Sequence, residues 1–272
     1  MKISVTVLTK NSEAYLEEVL QSTTSFDEVI LYDSGSEDRT LEIAKSFSNV
    51  QVHEGPFEGF GVVHNRVSGL ASNDWILSID SDEVLTPELV EEIQALQLDP
   101  KKGYSIWRKN LIEGKWIWHS GWAPDRVVRL YNRKETRFTD AAVHEAVKME
   151  GLEAVSLQHP LLHYPYRDSA DFMRKMKLYA ELFAKENVGK KRSSFLKALS
   201  RSAFTLFKTL ILKKGIFGGK WGWHIAIYNA ATTYFKYMLL LELNNAQAPA
   251  CVPKRTPSLS TPHASPKCDP SP

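Results

Sequence analysis

Residues 3–47 read ISVTVLTKNSEAYLEEVLQSTTSFDEVILYDSGSEDRTLEIAKSF, and their alternation decides the fold. Ile3 to Leu8 is a β-branched, apolar run, and Glu28 to Tyr32 is a second; short runs of this kind make buried strands. Between them Ser12 to Ser22 places Leu16, Val19 and Leu20 on one helical face, with Ser12 positioned to cap. Glu37 to Phe47 repeats the pattern, with Leu41, Ile43, Ala44 and Phe47 inward. Trp75 to Ile79 supplies a third strand. Buried strands joined by helices imply a parallel sheet with helices on both faces, so residues 1 to about 100 are expected to form a doubly wound α/β domain.

Beyond this repeat the pattern changes. Between Lys101 and Tyr166 the chain offers YSIWRKN, KWIWHSGW, RVVRLYN and LLHYPY, which predict a mixed extension of the sheet. Ser169 to Lys185 predicts a helix whose Phe172, Met176, Tyr179, Leu182 and Phe183 pack inward. From Ala246 onward Pro and Ser dominate without periodicity, which predicts a disordered tail. With 43% hydrophobic residues in 272, the chain can build one sizeable core and a second small layer. Cys251 and Cys268 both fall in the tail, so neither a disulfide framework nor a cysteine zinc site belongs to the folded body. The first residues lack the apolar core and cleavage site of a secretory signal, and a cytoplasmic chain is expected.

The net charge of +2 conceals a division. Residues 1–186 hold 21 basic and 30 acidic side chains, whereas Asn187 to Leu241 holds ten Lys or Arg and no Asp or Glu. Such asymmetry points to an anionic partner for the C-terminal part.

Ligands of open parallel sheets bind beyond the carboxyl ends of the strands. There the sequence places Thr9-Lys10-Asn11, then Asp33-Ser34-Gly35-Ser36-Glu37-Asp38, then Asp80-Ser81-Asp82-Glu83. DSGSED also reads as a capping turn, with Ser36 as the N-cap. DSDE is harder to explain structurally. Three carboxylates within four residues repel unless a cation or hydrogen bonds compensate, which favours a divalent metal. Oxygen ligands suit Mg²⁺ or Mn²⁺, and the expected co-ligand is a nucleotide diphosphate or triphosphate.

TKN after the first strand, YDSGSEDRT after the second and HNRVSGLASNDWILSIDSDE through the third together resemble the inverting glycosyltransferases of family 2, over about the first 150 residues. RLYN at Arg129 to Asn132 and VHE at Val143 to Glu145 resemble the bacterial branch that includes lipopolysaccharide core glucosyltransferases. The resemblance implies an α/β fold of GT-A type, a nucleotide-binding domain with a mixed central sheet, expected over residues 1–186; the charge and residue pattern of the chain adds basic amphipathic helices over 187–245 and a tail over 246–272. The resemblance also implies a UDP-sugar donor, with Thr9 and Asn11 beside the nucleotide and Asp33 reading the base. Asn65 and Arg66 match a polar pair facing the nucleotide. Asp80 and Asp82 match the DXD pair, Asp80 near the ribose and both Asp82 and Asp80 as the metal residues, the ion together with the diphosphate stabilising the leaving group.

An inverting transfer needs a base for the acceptor hydroxyl. Glu145 is the first candidate, with Asp140 and Asp125 as alternatives, and His144 is a partner of Glu145, a metal ligand, a donor to the acceptor or a structural residue. Trp116, Trp118 and Trp122 are candidates for a sugar-stacking platform or for hydrophobic cover. From Phe195 to Leu212, Lys197, Arg201 and Lys208 share one face, with Phe195, Leu199, Phe204, Phe207 and Leu210 around the rest. This pattern predicts an interfacial helix on anionic lipid at the inner face of the cytoplasmic membrane, serving a glycolipid or lipopolysaccharide acceptor. Asn229, Thr232, Thr233 and Lys236 argue against a true span over His224 to Leu243. Two other classes fit parts of the pattern. ILSIDSDEVLT resembles the first motif of haloacid-dehalogenase phosphatases, and the basic, aromatic C-terminal segment suits a non-catalytic nucleotide-sugar or nucleic-acid binder. The acidic rim argues against nucleic acid.

Overall fold

The computed structural model of the protein describes residues 2–141 and 145–247. Strands β1 (Ile3–Thr9), β2 (Glu28–Asp33), β3 (Val50–Glu54) and β4 (Trp75–Asp80) alternate with helices α1 (Leu16–Ser22), α2 (Thr40–Lys45) and α3 (Phe60–Leu70). Then follow β5 (Glu83–Leu85), α4 (Pro87–Ala95), β6 (Lys102–Ile112), β7 (Lys115–Trp116), β8 (Arg126–Asn132) and β9 (Glu153–His163). Helices α5 (Ser169–Asn187), α6 (Phe195–Phe207) and α7 (Gly219–Gln247) close the described chain.

The strands form one mixed sheet in the order β3-β2-β1-β4-β8-β6-β9-β5, with β7 paired to β6. The first four run parallel; β8 is antiparallel to both β4 and β6, and β9 is parallel to β6. Alternate side chains of β2 feed different layers. Val29 and Leu31 pack with Leu16, Val19 and Leu20 of α1 and with Leu89 and Ile93 of α4, while Ile30 and Tyr32 pack with Val63 and Val67 of α3. A parallel strand covered on both faces reads as a continuous apolar run, as these do. This is the α/β architecture with a mixed sheet and C-terminal helices that the sequence predicts.

Three local expectations are corrected. β3 was not among the expected strands: its VQVHE is only partly buried at the sheet edge and lacks a strong apolar run. Ser12 does not cap α1, which begins at Leu16; the Ser12 hydroxyl instead bonds that of Ser81 at 2.8 Å. Ser36 does not cap α2. Its hydroxyl turns back to Asp33, and the Asp38 carboxylate accepts from the Thr40 amide at 3.0 Å.

α5 and α6 are capped by side chains, Asp168 accepting from the Asp171 amide and Ser194 from the Lys197 amide. α7 packs against both α5 and α6. Between α6 and α7 lie a π-turn over Lys208–Leu212 and a 3₁₀ turn over Gly215–Gly218. Of α5's expected inward residues, Phe172 is buried, whereas Tyr179 and Leu182 stay partly open, 38% and 36%, toward the cleft they line; α5 stands over that cleft and rests on α7. Leu210, expected on the surface, is buried. Among the described residues no helix is long and apolar enough to cross a membrane. α7 runs to Gln247, and the remainder of the expected tail lies outside the described residues.

Candidate active site

Parallel register brings the three polar strand ends to one rim, with Thr9 opposite Asp33 and Leu8 opposite Asp80. Asp33 is wholly buried, and its carboxylate accepts from the Thr9 hydroxyl at 3.0 Å, from the Ser36 hydroxyl, and from the amides of Gly35 (2.9 Å) and Ser36 (2.7 Å). The Asn11 amide donates to Ser36 Oγ at 2.8 Å, and Asn11 Oδ1 accepts from the Glu37 amide at 2.8 Å. Thr9, Asn11 and Asp33 thus form one interlocked loop pair. Asn65 faces elsewhere: its side chain exchanges two hydrogen bonds with the backbone of Phe138. Arg66 donates to the Tyr32 hydroxyl at 3.0 Å and pairs with Glu58.

Beside this rim lies an acidic floor carrying its own counter-charge. Arg129, on β8 and almost fully buried, donates through Nη2 to both Asp80 and Glu83. Arg108 reaches Glu83 at 3.3 Å and grips Asp125 with two hydrogen bonds of 2.9 and 3.0 Å. Burial alone would raise the Asp80 carboxyl, but Arg129, with His64 and Arg108, holds it well below the usual range. Two of the three DSDE carboxylates are therefore compensated by arginine, a source of charge that the sequence pattern does not count. Asp82 differs: among the described residues it makes no ion pair with arginine or lysine, and burial, then Asp80, push its carboxyl up to about 6.

What approaches Asp82 is His163, with Nε2 at 3.7 Å from Oδ1. A polar chain fixes this ring. Asn110 Nδ2 donates to Asp125 Oδ2 (3.1 Å) and to the Trp122 carbonyl (2.8 Å), so Asn110 Oδ1 is the acceptor that His163 Nδ1 meets at 2.5 Å. The proton lies on Nδ1, burial holds the ring down to about 4, and Nε2 presents a lone pair toward Asp82. Carboxylate and imidazole together suit Mn²⁺ or a similar divalent ion. Among the described residues no three His, Cys, Asp or Glu side chains converge, so such an ion would complete its shell with ligand oxygens or water.

Asp82, His163, Arg108, Glu145, Trp122 and Tyr179 all line one cleft of about 1000 Å³, bounded on one side by Lys175, Leu178 and Leu182 of α5. Burial first, then Tyr228, Asp82 and Glu145, push the Tyr179 phenol above its usual value, which places those carboxylates in one field. Asp125 lines the cleft in its Arg108 clasp, whereas Asp140 is exposed, bonded to Arg137 and absent from the cleft wall. Of the three tryptophans only Trp122 reaches the cleft, stacked on Tyr166. His144 lies outside the described residues.

The model of glycosyl transferase family 2 matches residues 4–150, more than half of the chain. The chain belongs to that family. Among its relatives are uncharacterized glycosyltransferases of Rickettsia typhi, 30% identical over 80% of this chain and 79% of that one, and of Rickettsia bellii, 27% identical over 92% and 89%. A lipopolysaccharide core biosynthesis glycosyltransferase, LpsC of Rhizobium meliloti, is 26% identical over 73% of this chain and 77% of its own. Among solved structures, that of Staphylococcus aureus TarS with UDP-GlcNAc aligns over 90% of this chain and 89% of its own at 17% identity and a TM-score of 0.46. Family 2 membership makes the protein a glycosyltransferase and closes the phosphatase reading of ILSIDSDEVLT, whose first aspartate is clasped by Arg129. Sequence reasoning missed His163, Arg129 and Arg108. The signals were polar residues interrupting the β-type runs LLHYPY, RVVRLYN and YSIWRKN, and for Arg129 its place at the head of the RLYN motif.

Proposed function

We propose that the protein transfers a hexose, glucose being the first candidate, from a UDP-sugar to a membrane-associated acceptor of the glycolipid or lipopolysaccharide-core type, with inversion and with a divalent ion. The observation that carries this reading is Asp82, a carboxylate in the cleft that makes no ion pair with arginine or lysine among the described residues and is faced by a tautomer-fixed His163. Asp82 and His163 would hold Mg²⁺ or Mn²⁺, which supplies charge neutralisation to the departing diphosphate. Thr9, Asn11 and Asp33 shape the loop that takes the nucleoside. Asp80, fixed by Arg129, orients the ribose side. Glu145 takes the acceptor proton as the hydroxyl oxygen bonds the anomeric carbon and the C–O bond to the diphosphate breaks, its electron pair leaving with UDP. The similarity to LpsC, a lipopolysaccharide core biosynthesis glycosyltransferase, supports the acceptor class.

The test is a thermal-shift panel with UDP, GDP, ADP and CMP compounds, each with and without Mn²⁺. Ligands that bind only the folded state raise its melting temperature by mass action. A shift confined to UDP compounds and requiring Mn²⁺ is expected; no shift with any nucleotide refutes the donor assignment. Asp82→Ala is expected to remove the metal-dependent shift. Glu145→Gln is expected to keep the shift and lose transfer, and retained transfer moves the base to Asp125, which shares the cleft.

A further inference from the structure

α6 turns its apolar side away from the protein. Advancing about 100° per residue, Ala198 and Ser202 fall on the side that meets α7, where the Ser202 hydroxyl donates to the Ala230 carbonyl at 2.8 Å. The opposite side carries Leu196, Phe204 and Phe207, which are 74%, 56% and 52% exposed, with Leu199 on its flank at 50%. The apolar exposure continues past the helix at Ile211 and at Phe217, the latter 73% exposed. Arg201 and Lys208, both exposed, run along one edge of the stripe. From Asn187 to Leu241 no acidic side chain interrupts the ten basic ones.

An exposed apolar stripe of this size on a soluble chain marks a surface that meets another phase or molecule. The chain's own remainder is a poor occupant. Residues 248–272 contain no aromatic residue, offer only Val252 and Leu259 as large aliphatics, and have three Lys or Arg against one Asp. A second copy would bring the same basic edge against itself. A monolayer with anionic headgroups satisfies both features, taking the aromatic and aliphatic side chains between its acyl chains and the basic edge against its phosphates.

We propose that α6 and the turns after it are a lipid-docking face: Leu196, Leu199, Phe204, Phe207, Ile211 and Phe217 insert into an anionic monolayer, with Arg201 and Lys208 on its headgroups. The inference rests on the membrane-associated acceptor of the proposed reaction and names the surface that would bring the cleft to it.

The experiment is co-sedimentation of the full chain with vesicles of phosphatidylcholine alone and of phosphatidylcholine with phosphatidylglycerol, at low and high salt. Binding to the anionic vesicles, weakened by salt, is expected. The double substitution Leu196→Ser with Phe207→Ser should weaken it at least tenfold, and Arg201→Ser with Lys208→Ser should remove the preference for phosphatidylglycerol. Each variant should retain the parent's melting temperature and its response to UDP with Mn²⁺. Should a variant fail to fold, deuterium uptake of the unmodified protein decides: uptake over residues 195–217 falls on adding anionic vesicles, while that of β1 to β4 does not. Wild-type protein left in the supernatant with anionic vesicles, or undiminished binding by the apolar variant, overturns the proposal. So does a wild-type dimer that the apolar variant renders monomeric, since the face is then an interface between copies. None of these arms needs donor or acceptor, so failure here leaves the nucleotide panel to judge the reaction separately.

Discussion

Arg129 neutralises two carboxylates and so leaves the third to define the floor of the cleft. DSDE announced a charge problem in the sequence, but its solution depends on Arg108 and Arg129, 25 and 46 residues beyond Glu83 and delivered by two antiparallel strands. Arg129→Ala is expected to leave Glu83 buried without its main partner and to destabilise the fold by about 3–5 kcal/mol, read from urea unfolding. Asn110 is a positioning residue, since it touches neither the nucleotide loops nor Asp82 but fixes the tautomer of His163. Asn110→Ala should lower Mn²⁺ affinity in the presence of UDP by about 10–100-fold, measured by electron paramagnetic resonance of free Mn²⁺, while UDP affinity without metal changes little. An unchanged Mn²⁺ affinity would falsify the role assigned to the His163 tautomer.

The elements that were legible were those whose burial is complete. β1, β2 and β4 are runs rich in buried apolar residues because helices cover both of their faces, and their order and polar ends could be read directly. β3 was not legible, because an edge strand with one partner needs no such run. The Ser12 and Ser36 caps failed for a related reason: both hydroxyls are claimed by partners distant in sequence or by the aspartate that organises the loop. His163 was hidden because only the antiparallel pairing of β9 with β5, which sets Glu83 opposite His163, brings it to Asp82, and those two strands lie far apart in the sequence. α3 meets the cleft wall through a close approach at Gly61, whose amide donates to the Ala141 carbonyl at 3.1 Å. A Cβ there would lie 1.9 Å from the Thr139 carbonyl oxygen. Gly61→Ala is therefore expected to displace the segment Phe138–Thr139, costing about 1–3 kcal/mol and weakening transfer more than UDP binding. Parent-like stability and kinetics would show that the wall yields freely.

At the scale of the whole molecule, acid should loosen the fold through His64. The ring is buried, stacks on Phe138 and meets the Ser78 hydroxyl, and burial lowers it from the ordinary 6.5 to about 4. An unfolded chain takes up this proton below pH 6.5, whereas the folded one resists until about pH 4, so stability present above the upper value erodes between the two. The shift caps the loss at about 3 kcal/mol. Urea midpoints at pH 7.5, 5.5 and 4.5 should show this slope flattened in His64→Gln; an equal slope in both proteins would assign it to other groups.

The division of charge along the chain has a consequence for motion as well as for binding. With 21 basic against 30 acidic side chains before residue 187 and only basic ones from there to Leu241, the protein is an electric dipole. Near a negatively charged surface it feels a torque before it touches. The helical end is drawn forward and the catalytic body is pushed back, so that most encounters arrive already oriented, with the sheet held off the surface on its C-terminal helices.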